Sequence, residues 1–347
     1  MPRIQPHDPR PLLPGTLQNL FFPPERYNYF ERAAERPFLS PDPVFGPLIR
    51  AAWAADASML GYARYGKVRM TEAELEACLH GGGLQLRALI GENGKDWNAS
   101  GTQAYFAIGK GFAVLAFRGT EADDPQDLRD DADLVLAPEH DYHGALSPPD
   151  HLGHLSSILQ LISEPCLVHR GFQRALGRVW TQVYSLLANY RTNFPDAEIL
   201  ITGHSLGGAL ALLTYSRFRD PHVSACTIGC PRVGDIAFVR RVLAKGAGHF
   251  RCVNFNDLVA HVPPESVLYR HAPQMCWRLD QDGTLDQEHD GTIAEDIVDL
   301  ARAAAGLPAD LKTNLDNYLA LPAPPALVDH SPARYCMRLW DLVPRLA

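Results

Sequence analysis

Hydrophobic and polar positions divide the chain into a patternless start and a long alternating remainder. Residues 1–47 are rich in Pro and aromatic side chains and keep no steady period, which predicts an arm lying on the domain or left partly disordered. From 47 to 65 small and apolar residues return at helical spacing, and 72–80 predicts a second helix, broken by Gly81-Gly82-Gly83. Two apolar runs, 104–108 and 112–117, flank Gly109-Lys110-Gly111 and predict a hairpin. An acidic loop follows over 121–133. Residues 136–166 are first rich in Pro, His and Gly and then apolar at helical spacing. Residues 172–193 predict a long amphipathic helix that ends before Pro195.

Beyond that point the pattern alternates. Short apolar runs at 199–202, 223–228 and 250–255 read as strands, and 206–218 and 235–243 read as helices. A further helix is predicted at 291–305, and a last helical stretch follows position 330. Strands alternating with helices predict a mostly parallel sheet with helices on both faces. The expected organisation is an arm over 1–47 and one α/β domain over 48–347, with 136–166 inserted as a lid-like segment.

Composition narrows the picture. The 347 residues are 46% hydrophobic and 21% charged, which excludes a disordered chain, a fibrous repeat and a coiled coil. A formal charge of −8 argues against general nucleic-acid binding. No apolar run reaches the length of a membrane span. The first residues, MPRIQPHDPRPLLPG, lack the apolar core of a secretory signal, so the expected location is the cytoplasm or export without a cleaved signal. Seven dispersed cysteines, none in CxxC, read as buried free thiols.

The chemistry concentrates at Ile199-Leu-Ile-Thr-Gly203-His204-Ser205-Leu206-Gly207-Gly208, a strand, a sharp turn and a helix. Gly-x-Ser-x-Gly in that setting is a nucleophile elbow. Gly203 and Gly207 remove side chains that would crowd the crossing. The helix N-terminus aims its dipole and free N–H groups, Leu206 first, at the anion formed on attack. Random placement of 27 glycines and the serines would give roughly 0.08 matches, and one occurs.

Serine needs a base, and the base needs an orienting acid. Asp257 directly follows the strand at 250–255, where open sheets place their sites. It ranks above Asp235, which reads as a helix N-cap, and above Asp280 and Asp282, which share a polar turn with Gly283. Four histidines follow the acid: His261, His271, His289 and His330. Spacing ranks His330 first, in a late loop, but does not by itself exclude the others.

Several segments in order resemble the class 3 lipase family, the fungal-type triacylglycerol lipases. They are Phe117-Arg118-Gly119-Thr120, Val168-His169-Arg170-Gly171-Phe172, Gly203 to Ala209, Thr227 to Gly234, Asn256-Asp257-Leu258-Val259, Tyr269-Arg270-His271, and Asp329-His330-Ser331 with Tyr335. The resemblance implies an α/β-hydrolase fold and a Ser205–His330–Asp257 triad. It implies Thr120 as an oxyanion donor beside the Leu206 N–H, and a structural role for His271. His204 belongs to the supporting set around the serine. It implies a carboxylic ester hydrolase acting on lipid esters, and no cofactor or metal is expected; transient contact with a lipid interface is expected from the amphipathic 136–166 segment.

Phospholipase A1 or thioesterase activity on the same triad is the alternative. A non-catalytic binder on the same fold is a third reading. Three departures bear on substrate range: Ala260-His261-Val262-Pro263-Pro264 stands where the family commonly has Pro directly after the Val of the acid segment, the family tryptophan after the oxyanion loop is missing, and 134–168 is longer than usual. Two further expectations concern the insertion. Leu152, Leu155, Leu159 and Ile162 would lie on one face of a lid helix. His140, His143, His151 and His154, near Glu139, Asp141 and Asp150, read as a solvated loop rather than a metal site.

Overall fold

The computed structural model describes all residues except 1–2, 22, 25–26, 63–69, 92–101, 120–134, 140–165, 219, 247, 264–267, 273–274, 288–317 and 346–347. Thr120, His289, the lid expectation, the four-histidine loop and the helix expected at 291–305 therefore lie outside the described residues.

Local rules account for the elements. α1 (Leu17–Phe21) is a short turn in the N-terminal arm. α2 (Gly46–Leu60) starts with Pro47 in its first turn and is buried over most of its surface, which its small and apolar residues permit. α3 (Glu72–Gly81) opens with a capping box: the Thr71 hydroxyl accepts from Glu74 N, and the Glu74 carboxylate accepts from Thr71 N. β1 (Gln85–Gly91), β2 (Gln103–Gly109) and β3 (Phe112–Phe117) follow, and Gly111 takes the left-handed conformation in the β2–β3 turn.

β4 (Leu136–Pro138) and β5 (Leu167–His169) pair antiparallel and pin the two ends of the insertion together. α4 (Arg170–Asn193) buries Phe172, Leu176, Val179, Trp180, Val183, Leu187 and Tyr190, the apolar stripe of an amphipathic helix. β6 (Glu198–His204), α5 (Leu206–Arg217), β7 (Val223–Ile228), α6 (Ile236–Leu243) and β8 (His249–Asn254) alternate as the sequence predicts. Asp235 is the N-cap of α6, accepting from Phe238 N at 2.9 Å. β9 (Met275–Leu279), β10 (Leu285–Gln287), α7 (Pro325–Val328) and α8 (Pro332–Asp341) complete the described chain.

The main sheet has the order β1-β2-β3-β6-β7-β8-β9-β10. Pairings β3–β6, β6–β7, β7–β8 and β8–β9 are parallel, and the outer pairings are antiparallel. One core, with α2 and α8, lies on one face; the other, with α4, α5 and α6, lies on the opposite face. β1, β9 and β10 add to the sequence reading, which has no strand at those positions. β1 is an edge strand that alternates only weakly between buried and exposed positions. β9 carries Arg278 amid apolar residues.

Described residues among the first 47 contact the later elements. Ile4 pairs with Leu285, His7 N donates to Asp341 O at 2.7 Å, and Tyr27 Oη donates to Asp56 at 2.7 Å. No described helix is long and apolar enough to cross a membrane. All seven cysteines are free, and all but Cys78 are buried.

Candidate active site

β6 delivers Ser205 to the head of α5. Ser205 has φ 58° and ψ −128°, a conformation that a non-glycine residue adopts only when its surroundings enforce it. Enforcement is visible at the glycines. A Cβ on Gly203 would strike the Gly207 carbonyl, and one on Gly207 would strike the Phe117 carbonyl at the end of β3. The strand-to-helix crossing is closed only because both positions lack side chains. Ser205 N donates to Ile228 O at 3.0 Å, tying the turn to β7. At the first turn of α5 the Leu206 and Gly207 amides have no partner within the helix and can serve an anion. Gly119, next to the oxyanion position expected at Thr120, packs against the His204 carbonyl.

β8 ends at Asn254 and delivers Asp257 to the same end of the sheet. Its carboxylate is fully buried and densely bonded. His330 Nδ1 stands 2.9 Å from both Oδ1 and Oδ2. Tyr335 Oη donates to Oδ2 at 2.5 Å, and Val259 N donates to Oδ1 at 3.0 Å. Burial pushes the carboxyl pKa up, but the His330 charge and the hydrogen bonds from His330 and Tyr335 outweigh it, so the group sits below its ordinary value. An ionised Asp257 fixes Nδ1 of His330 as the protonated nitrogen and leaves Nε2 as the acceptor. Gly229, at φ 54°, provides the space: a Cβ there would lie 2.8 Å from Asp257 Oδ2 and 3.2 Å from His330 Nδ1.

The His330 loop is held by its backbone. Asn254 Nδ2 donates to Asp329 O at 2.8 Å, and His204 Nε2 lies 2.8 Å from His330 O. Asn254 is in turn fixed by Arg338 of α8, Nη1 to Oδ1 at 2.7 Å. Among the described residues no hydrogen bond joins Ser205 Oγ to the His330 imidazole. Catalytic contacts are often long before substrate binds.

The other histidines sit differently. His261 ends a 3₁₀ turn (Val259–His261) after the acid, and burial with the nearby Arg251 charge lowers its pKa to about 4. His271 is buried, and its Nε2 accepts from Arg251 Nη2 at 2.8 Å. The same guanidinium donates to Ala260 O at 2.8 Å, so His271 braces the turn behind Asp257. Asp235 caps α6, while Asp280 and Asp282 accept backbone N–H groups within the β9–β10 turn. Among the described residues no cluster of His, Cys, Asp and Glu could hold a metal.

The sequence reading does not assign roles to Tyr335, Gly229 or Tyr62 in this site. Tyr335 stands within a quoted motif but carries no local signal of its function. Tyr62 lies 142 residues from His204, to whose ring it bonds. Only the fold brings them in.

Comparison with known proteins completes the picture. Residues 114–267 match the class 3 lipase family. The resemblance read from the motifs is borne out there. That stretch holds Ser205 and Asp257; His330 lies beyond it. The chain is 36% identical over 120 residues to a lipase of Rhizomucor miehei, covering 33% of each chain. It is 35% identical over 118 residues to a secreted mono- and diacylglycerol lipase of Gibberella zeae, covering 32% of this chain and 37% of that one. The alignments thus span about a third of these relatives' length. A solved lipase from Rhizopus microsporus var. chinensis superposes with a TM-score of 0.52 at 23% identity, over 71% of this chain and 80% of that one. The fold is that of the α/β hydrolases.

Proposed function

We propose that the chain is a serine hydrolase of carboxylic esters, a lipase or esterase acting on acylglycerols or related lipid esters. The observation that carries this reading is the Asp257–His330 contact, held at the same end of the sheet as the strained Ser205 turn. Ser205 Oγ attacks the ester carbonyl, and His330 Nε2 takes its proton. The tetrahedral oxyanion is held by the Leu206 N–H and a donor at Thr120. The alcohol leaves with the proton from His330, forming an acyl-enzyme, and water repeats the cycle in reverse. Asp257 keeps the imidazole in one tautomer and stabilises its positive charge. The one-domain organisation, with the arm over 1–47, belongs to the same reading.

Lipid esters are favoured by the names of the relatives, which are lipases. Export fits relatives named as secreted, and the cytoplasmic alternative draws no support from them. The experiment is fluorophosphonate labelling with assays on p-nitrophenyl esters of graded chain length, an acylglycerol, a phospholipid and a thioester. Wild type should be labelled at Ser205, and Ser205→Ala should lose label and activity, with a rate loss on the order of 10⁴ or more. A Ser205→Ala protein that keeps a tenth of the activity defeats the assignment. Preference for the phospholipid or the thioester would move the substrate class to the alternatives.

A further inference from the structure

We propose that Tyr62 and His204 form a positioning pair for the reaction, a buried hydrogen-bond chain that sets the backbone of the base relative to the nucleophile and the oxyanion loop. The proposal rests on the Ser205–His330–Asp257 reading above.

The shorter contacts set the arrangement of protons. His204 Nε2 lies 2.8 Å from the His330 main-chain carbonyl, which can only accept. Nε2 therefore carries the hydrogen. Burial, with the neighbouring His330 charge, pushes the His204 pKa well below its ordinary value, so the ring is neutral and its other nitrogen must accept. Tyr62 Oη lies 2.8 Å from that nitrogen, Nδ1, and 3.5 Å from the His204 main-chain oxygen, so it donates to the nearer acceptor, Nδ1. The Tyr62 oxygen is left with its lone pairs, and the Gly119 backbone lies against it.

The chain thus runs from the Tyr62 hydroxyl, packed against Gly119, through the His204 imidazole to the His330 carbonyl. Its ends matter. Gly119 precedes Thr120, His204 precedes Ser205, and His330 is the base. One relay touches the three segments whose relative placement the reaction needs. Gly119 is packed so tightly that a Cβ would overlap both Tyr62 Oη and the His204 carbonyl. Neutrality of His204 also matters, because its ring centroid lies 4.4 Å from that of His330. A charged ring there would repel the imidazolium that forms on attack. Neither side chain touches the scissile bond in this scheme. They act through the placement of His330 and of position 119.

The test separates positioning from space-filling. Tyr62→Phe keeps the ring and removes the donor. His204→Gln places an amide near the former Nε2 and can still donate to His330 O; His204→Asn places its amide near the former Nδ1 and cannot reach that carbonyl. Kinetics on a soluble p-nitrophenyl ester, with thermal unfolding alongside, should show kcat reduced roughly 10- to 10²-fold for Tyr62→Phe and for His204→Asn, with KM within about twofold. His204→Gln should recover most of kcat. If Tyr62→Phe does not fold, the order of Gln above Asn decides.

A Tyr62→Phe enzyme with wild-type kcat, or Gln and Asn variants equally impaired, overturns the pair. Fluorophosphonate labelling of the wild type keeps the two failures apart. Label on Ser205 with an unaffected Tyr62→Phe enzyme overturns the pair alone. No label on Ser205 overturns the triad reading and the pair with it.

Discussion

Asp257 and His330 lie 73 residues apart in the chain, yet Nδ1 of the imidazole stands 2.9 Å from each oxygen of the carboxylate. The carboxylate is fully buried, and an ion in such a place is tolerated only when its lone pairs are taken. The donors come from three places: the 3₁₀ turn that follows the acid, the His330 loop and α8.

Tyr335 supplies the shortest of those contacts. Tyr335→Phe removes a hydrogen bond to a charged group, a contribution of about 1.5–3 kcal/mol. Losing a donor to the ionised form raises the carboxyl pKa. The variant should lose roughly 10-fold or more in kcat, and the acid limb of its pH–rate profile should move to higher pH. A kcat within twofold of wild type and an unmoved acid limb would remove Tyr335 from the site.

His330 and His261 make a direct contest. Both follow Asp257, but only His330 touches it. His330→Ala should abolish ester hydrolysis while leaving the unfolding midpoint within about 1 kcal/mol. His261→Ala should keep kcat within an order of magnitude and lose stability instead, as expected where a buried side chain is truncated. An active His330→Ala enzyme, or a folded His261→Ala enzyme without activity, would reverse the assignment.

Gly203 and Gly83 separate steric closure from backbone strain. Gly83 sits at φ 66° with open space around its missing Cβ, so Gly83→Ala should cost about 1–2 kcal/mol through the left-handed conformation alone. At Gly203 the new methyl meets the backbone of Gly207 and Gly208, which cannot move without opening the elbow. Gly203→Ala should cost about 3 kcal/mol and abolish labelling of Ser205. Urea midpoints read the first effect and a fluorophosphonate the second. Equal midpoints for the two variants would contradict the closure of the crossing.

Acid should destabilise the fold well above the pH at which carboxylates protonate. Burial lowers His249 and His261 to about 4, from an ordinary 6.5, and holds His204 and His271 well below that value. A histidine depressed in the fold stays neutral there while the unfolded chain takes up a proton. Each therefore withdraws stability as pH falls from about 6.5 toward its folded value. Asp56, lifted by burial to about 6, acts in the opposite sense, as do the smaller upward shifts of Asp329 and Asp341. The histidine shifts are the larger set among the described residues. The unfolding temperature should fall between pH 7 and pH 5, and unfolding should take up protons. A temperature that is flat or rising over that range would show that these rings are not held neutral.

Sequence and fold divided the work according to range. The Gly203–Gly207 turn, the cap at Asp235, the Gly109–Gly111 turn and the amphipathic α4 were all legible along the chain. Each is set by sterics and hydrogen bonds among residues a few positions apart, and helical and strand periods are properties of such windows. The alternation of strands and helices from 198 to 254 likewise sufficed for a parallel sheet with two covered faces. Which histidine meets Asp257 was not local. Spacing left four candidates, and the contact exists because β8 lies beside β7, Gly229 leaves room, and Asn254 holds the Asp329 carbonyl. Tyr335 and Tyr62 reach their partners across 78 and 142 residues, distances at which no period survives. The sequence by itself determined the tight Gly203–Gly207 turn and the class of fold around it; only the packing of distant elements decided what surrounds the turn, because a side chain's long-range partner depends on strand order and burial, not on its neighbours in the chain.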